Sequence, residues 1–485
     1  MRLHRVVCAV LCLALGAAPG RAGAQVADTL PTIPAAARAG DHFDPEAATD
    51  AYLATVPPDQ RARSDAYSEG GYWLLLWNFL LSAATYILLL AAGWSARMRD
   101  LAERVTRFRP LQVMTYWIQF LVVTSAIEFP LALYQNFYRE RQYGLGTQTL
   151  GGWLGDELKT LVLGIVLGGL FVWGLYAVLR RARRSWWMWG SALTIVSLAV
   201  GALITPVYIA PLFNKYTKLE DPAVREPILR MARANGIPAS DVYVVDASKQ
   251  TTRVSANVSG FLGTERITLN DNLLRRATLP EIEAVMGHEM GHYVLNHVYT
   301  ALLFLGVVTV IVFALLSRLS AWALARWGPA WRIRGVDDLA SLPLLALILG
   351  TLLFVLTPVT NSFTRMQEEE ADIFGLNAAR QPDGMALVTL KLGEYRKLDP
   401  GHLEEIVFFD HPSGRRRIHD AMRWKAEHLD GSEDRLSRHV APRNVACRPE
   451  LTPLPCPRAE SSARPAASAA PASADTAIPA PRRSR

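Results

Sequence analysis

Six long apolar stretches punctuate the chain, at roughly 72–93, 112–134, 160–179, 186–209, 299–325 and 340–360. Each approaches or exceeds the ~20 residues a helix needs to cross a bilayer. Tyr72-Trp73 and Trp186-Trp187 mark ends of two of them, as interfacial anchors do. The pattern predicts a mainly α-helical polytopic membrane protein: four spans within 71–210 and two within 299–360. Polar segments separate and flank these blocks. Residues 25–70 read as a polar lead-in, 361–436 as a polar helical part, and 437–485 as a Pro/Ala/Ser-rich tail without a fold of its own.

The segment 211–298 has a different texture and predicts a small α+β catalytic domain. Asp221-Pro222 starts a helix over 223–235 that Gly236-Ile237-Pro238 stops. Strand-like runs follow at 242–246, 253–258 and 266–269. Thr278-Leu279-Pro280-Glu281 then opens a helix with a capping box and a Pro in its first turn. Within the second apolar stretch, Glu128 predicts a polar partner or cavity rather than lipid.

Composition agrees with a membrane protein: 51% of residues are hydrophobic and 13 are Trp. The net charge of +7 does not point to nucleic acid, because no basic stripe or RNA-binding signature accompanies it. The arginines instead cluster in loops after the first, third and fifth spans: Arg97 to Arg109, Arg180 to Arg184, and Arg326 to Arg334. These loops share one side, which the positive-inside rule makes cytoplasmic. The soluble segments then lie on the other side, at a bacterial inner membrane. Arg2, Arg5, the apolar run Val6–Leu15 and Ala22-Gly23-Ala24 read as a signal peptide over 1–24, which fits that orientation. The four Cys form no CxxC; Cys447 and Cys456 are open to reading as a disulfide or as two free thiols.

The capped helix carries Gly287-His288-Glu289-Met290-Gly291-His292. Two His four apart project from one helical face and can share a metal ion. Glu289, beside that face, can take a proton from a water that the metal activates. Two His and a carboxylate suit Zn2+, one per chain. The extended HExxHxxGxxH pattern is excluded by Leu295 and Val298. His297, five residues after His292, falls off the face and reads as an exposed or capping residue. A third ligand is offered by Arg365-Met366-Gln367-Glu368-Glu369-Glu370-Ala371-Asp372, where spacing alone does not choose between Glu368 and Glu369.

His288-Glu289-x-x-His292 followed by Arg365-x-x-Glu368-x-x-Ala371-Asp372 resembles the Ste24-type integral-membrane zinc peptidases, the CAAX prenyl protease 1 group of peptidase family M48. Pro211-Leu212-Phe213-Asn214-Lys215, the Asn361-x-x-x-Arg365 pair, and His411-Pro412-Ser413 with Arg417-Ile418 match in order. The resemblance implies a helical barrel around a chamber, with a zincin-like catalytic domain. It implies Glu368 as the third ligand, with Asp372, Asn361 and Arg365 behind the ligands. It implies His411 and Arg417 as oxyanion stabilisers. It also implies a substrate-pairing edge strand through Val254, Ser255, Ala256, Asn257 and Val258. Ser255 and Asn257 depart from the eukaryotic pattern there, where Asn and Tyr are usual. Expected partners are a protein or peptide substrate (membrane-associated, misfolded or CAAX-like) and membrane lipid.

Three other readings are weighed. A site-2-type intramembrane protease would put HExxH and Pro382-Asp383-Gly384 inside apolar spans, and here both sit in polar sequence. A non-catalytic scaffold or chaperone would not need the complete set of ligands and base. A transporter would need paired broken helices in the two halves.

Overall fold

A computed structural model describes residues 32–40, 42–259 and 266–428. The signal-peptide reading, all four Cys, Gly260 and the tail from 437 lie outside these residues.

In chain order, the helices before the soluble domain are α1 (Pro45–Ala54), α2 (Pro58–Ala91), α3 (Trp94–Val105), α4 (Arg109–Gln142), α5 (Leu150–Arg181) and α6 (Trp186–Leu212). The domain contains β1 (Tyr216–Lys218), α7 (Pro222–Ala234), β2 (Val242–Val245), β3 (Ala256–Ser259), β4 (Arg266–Asn270), α8 (Asp271–Arg276) and α9 (Leu279–Val294). Then come α10 (His297–Trp327), α11 (Leu339–Ala379), α12 (Pro382–Leu392), α13 (His402–Phe408) and α14 (Gly414–His428). Among the described residues, α2, α4, α5, α6, α10 and α11 are long and apolar enough to span a membrane, as the six apolar stretches predict. Large apolar residues on them, such as Trp189, Val196, Leu303 and Val355, are exposed in the isolated chain, as spans that meet a bilayer require.

The spans pack through an aromatic-rich cluster that includes Tyr116, Phe120, Tyr176, Trp186 and Phe313. Buried hydroxyls are satisfied: Tyr116 pairs with Ser95 at 2.6 Å and Tyr176 with Ser341 at 3.0 Å. Glu128 accepts from Ser82 at 2.8 Å, the polar partner its position calls for. At the arginine-rich side, buried Arg99 bridges to Asp338 at 2.6 Å and to the Arg332 carbonyl at 2.9 Å, tying α3 to the loop before α11.

The domain sheet has the order β1-β2-β4-β3, antiparallel at β1/β2 and β3/β4 and parallel at β2/β4. Ile267 and Leu269 of β4 are fully buried with Ile228, Met286 and Met290. Each such side chain contributes about 1.5–3 kcal/mol on burial. The expected helix and strands are present, with two differences. Strand β1 was not expected, because three residues are too few for a legible period. Strand β3 starts at Ala256, since Val254 turns into the core and is 7% exposed, leaving Val254 and Ser255 as the approach to the edge strand.

The lead-in is an integral part of the fold. Tyr52 of α1 is fully buried with Met385, Ile418 and Met422, and donates to Asp383 at 2.7 Å. Lys425 of α14 binds the same Asp383 at 2.6 Å and the Ala37 carbonyl at 2.7 Å.

Candidate metal and catalytic site

Helix α9 starts at the predicted box, where the Thr278 N–H donates to Glu281 at 2.5 Å. It crosses α11 at a seam of small residues. A Cβ on Gly287 would sit 2.8 Å from the Gly375 carbonyl oxygen. One on Gly375 would sit 2.7 Å from the His288 nitrogen, and one on Gly291 would sit 3.1 Å from the Ala371 Cα. Only glycine allows backbones this close. The contact brings His288 and His292 against Glu368. Because α11 is one continuous helix, Glu368 is carried rigidly on the last span rather than by a separate segment starting at 361.

The ligand atoms of His288, His292 and Glu368 all lie within 4.8 Å of one another. His288 Nε2 is 3.2 Å from Glu368 Oε2 and 3.2 Å from His292 Nε2, and His292 Nε2 is 3.4 Å from Glu368 Oε1. The neighbours decide what these atoms are. Asp372 accepts from His288 Nδ1 at 2.7 Å and is itself clamped by Arg417 Nε and Nη2 at 2.8 and 2.6 Å. That leaves His288 Nε2 as a lone pair. On the other ring, Glu370 accepts from His297 Nε2 at 3.1 Å, so His297 Nδ1 accepts from His292 Nδ1 at 2.8 Å. His292 Nε2 is then also a lone pair. Glu368 Oε2 is buried without a hydrogen-bond partner. With both rings in the neutral tautomers that these partners favour, three lone-pair donors converge and fit a divalent cation. Two imidazoles and a carboxylate leave one position for water or substrate.

Glu289, next to His288, is half-buried. Desolvation pushes its carboxyl above the usual carboxylate range, with His288 and His292 opposing. His411 Nε2 lies 3.3 Å from Glu368 Oε2, and its Nδ1 is held by Asp410 at 2.7 Å. Asn361 donates to the Val407 carbonyl at 2.9 Å, and Arg365 to the carbonyls of Glu405 and Phe409 at 2.8 and 2.6 Å. Both thus anchor the segment that carries His411. Arg417 is buried, and two of its nitrogens serve Asp372. A cleft of about 310 Å³ opens beside the site, with His411 and Arg417 in its wall. Strand β3 is the sheet edge and packs against α9. Glu369 is bound by Arg416, which leaves Glu368 as the carboxylate facing the histidines.

His297 corrects the sequence reading: it is 5% exposed and hydrogen-bonded to His292. The helical-wheel argument assumed one continuous helix. The chain instead breaks at Leu295 and Asn296, the latter at φ 58°, and the new helix α10 turns His297 back towards His292. An Asn directly before a His was the available signal, since Asn tolerates the left-handed conformation.

Comparison with known proteins agrees with this geometry. The pattern of Peptidase family M48 matches residues 218–425, and that of the CAAX prenyl protease N-terminal region, described with five membrane helices, matches 45–215. Among the described residues, four membrane-length helices fall in or overlap that second range. A Bacillus subtilis protein described as the uncharacterized metalloprotease YhfN is 30% identical over 401 residues, covering 81% of this chain and 94% of that protein. CAAX prenyl protease 1 of Saccharomyces cerevisiae is 29% identical over 216 residues, 44% of this chain and 48% of the yeast protein. The crystal structure of S. mikatae Ste24p shares the fold, with a TM-score of 0.65 at 20% identity over 76% of this chain and 89% of that one. With similarity over 81% of its length to one metalloprotease relative, six membrane-length helices among the described residues and a His-His-Glu cluster on the matched segment, the chain belongs to peptidase family M48 and is an integral-membrane metalloendopeptidase.

Proposed function

We propose that the protein is a zinc peptidase in which His288, His292 and Glu368 hold the ion and Glu289 is the general base. The observation that carries this reading is the tautomer lock. Asp372 and the His297–Glu370 pair both orient a ring so that its Nε2 lone pair meets Glu368. His288, His292 and Glu368 would hold a zinc ion there, which would supply Lewis acidity to polarise the scissile carbonyl and acidify a water molecule. Glu289 receives the proton from that water and delivers it to the leaving amine; its raised affinity for protons suits both steps. His411, held through Nδ1 by Asp410, donates from Nε2 to the developing oxyanion in its doubly protonated form, and Arg417 adds positive charge beside it. An extended substrate pairs with the free edge of β3 through Ala256, Asn257 and Val258, with backbone hydrogen bonds supplying affinity without a strict sequence.

Such backbone recognition favours membrane-associated or misfolded chains, CAAX-like termini among them, over a single substrate. The arginine-rich loops support a bacterial inner-membrane location with the catalytic side facing the periplasm. Metal exchange tests the zinc assignment: 1,10-phenanthroline abolishes cleavage of an unfolded protein, and zinc restores it where magnesium does not. Activity that survives chelation and zinc loss would contradict it.

A further inference from the structure

The cleft beside His411 is lined by a buried guanidinium that, among the described residues, is packed by the Tyr67 and Tyr143 rings rather than by a carboxylate. Arg139, at the end of α4, is 6% exposed and lines this cleft. Its Nη2 donates to the Tyr67 carbonyl, and its guanidinium lies 4.0 Å from the centre of the Tyr67 ring. Among the described residues, no carboxylate comes within 4.0 Å of it. The adjacent Glu140 is not available, because Arg253 binds both its oxygens at 3.0 and 2.8 Å and Tyr67 donates to it at 2.5 Å. Arg396, in the same wall, has no carboxylate within 4.0 Å among the described residues, although its charge reaches Asp410, whose carboxyl is held down against its burial, first by His411 and also by Arg396. The other charges of the cleft are matched: Lys397 by Glu69 and Glu404, Arg417 by Asp372, and Asp410 by His411.

A buried guanidinium without a counter-ion is unfavourable unless a ligand supplies the missing charge. Two further details prepare the place. Ser68 Oγ, also in the wall, is buried without a hydrogen-bond partner. Gly70 makes room for Arg139, since a Cβ there would meet Nη2 at 3.2 Å. The same wall presents Tyr72, Tyr395 and Phe408, aromatic surface suited to apolar side chains beside an anion.

We propose that Arg139, Arg396 and Ser68 form a subsite for a carboxylate of the peptide substrate, within the cleft that ends at His411 and Arg417. This rests on the peptidase reading and narrows its substrate class. The carboxylate is either the C-terminal group or an acidic side chain near the scissile bond. Guanidinium groups bind both through charge-assisted hydrogen bonds.

Binding to the full-length Glu289→Gln protein in a neutral detergent tests this without turnover. The probes are fluorescent peptides of one sequence: the free acid, the C-terminal amide, and amides with Glu or Gln at an internal position. The acid, or the Glu amide, should bind about tenfold more tightly than its neutral counterpart, as one charge-assisted contact provides. Arg396→Gln and, in a second variant, Arg139→Gln should erase most of that difference while changing binding of the neutral peptides less than about twofold. Which peptide carries the preference identifies the source of the carboxylate. Equal binding of charged and neutral peptides would overturn the proposal, as would variants that weaken both alike. Wild-type cleavage of the same peptides separates the two claims. Preferential binding without cleavage leaves the subsite standing and removes the peptidase reading. Cleavage without a charge preference does the reverse.

Discussion

Each imidazole of the His-His-Glu cluster has its own Nδ1 partner, Asp372 for His288 and His297 for His292, and the second partner is a histidine where a carboxylate is usual. Removing His297 frees the His292 ring to turn and to take the other tautomer. His297→Ala should therefore weaken zinc binding about 10- to 100-fold, read by competition with a chromogenic chelator, and His297→Asn should restore part of it. Unchanged affinity in the alanine variant would show the contact to be incidental. A second prediction concerns Asp241, which binds Lys218 and Arg225 at 2.8 Å each. These partners lower its carboxyl from the ordinary 3.8 to about 2, Lys218 contributing most. A folded-state value below the unfolded one means the stabilisation is full above pH ~4 and fades as pH falls towards 2. Asp241→Asn should lower stability at neutral pH and flatten the acid limb of an unfolding curve between these values. A parallel shift at all pH values would contradict the assignment.

At the scale of elements, the site depends on how closely α9 approaches α11. Gly375→Ala forces the backbones apart at His288 and should cost about 1–3 kcal/mol, seen as a lower Tm and loss of bound zinc. Gly350→Ala, on the same helix with nothing within 4 Å of the added Cβ, should leave both unchanged. Equal effects from the two would refute the seam. This seam also marks where sequence reading stops. The spans, the capped helix and the His288–His292 pair follow from periods within single elements, so local pattern reveals them. The pairing of Gly287 and Gly291 with Ala371 and Gly375 joins elements about eighty residues apart, and no period encodes it. His297 was misjudged for a related reason: a wheel drawn through a helix break gives the wrong face. The orphaned Arg139 was equally hidden, because an arginine at the end of a span reads as an interfacial anchor until its surroundings are known.

Across the whole molecule, the membrane helices and the catalytic segment form one mechanical unit. The last span continues into the helix that carries Glu368, and α1 and the polar start of α2 brace α12 and α14. Ser64 of α2 reaches the Arg396 carbonyl at 3.0 Å, so the first span also positions the cleft wall. If the arginine loops are cytoplasmic, a cysteine placed at Glu226 in a chain cleared of its own four Cys should react with an impermeant thiol reagent added to spheroplasts. One placed at Arg184 should react only after lysis. The opposite pattern would invert the topology and leave the chemistry intact.

The central claim is that this cluster is a zinc site whose base is Glu289, and one comparison addresses it most directly. Wild type and Glu289→Gln are purified in detergent, their zinc content is measured, and cleavage of an unfolded reporter protein is followed. The account predicts about one zinc per chain in both, with cleavage in the wild type and a loss of at least ~10²-fold in the variant. Folded wild-type protein that takes up no zinc, or a Glu289→Gln variant that cleaves as the wild type does, would contradict it.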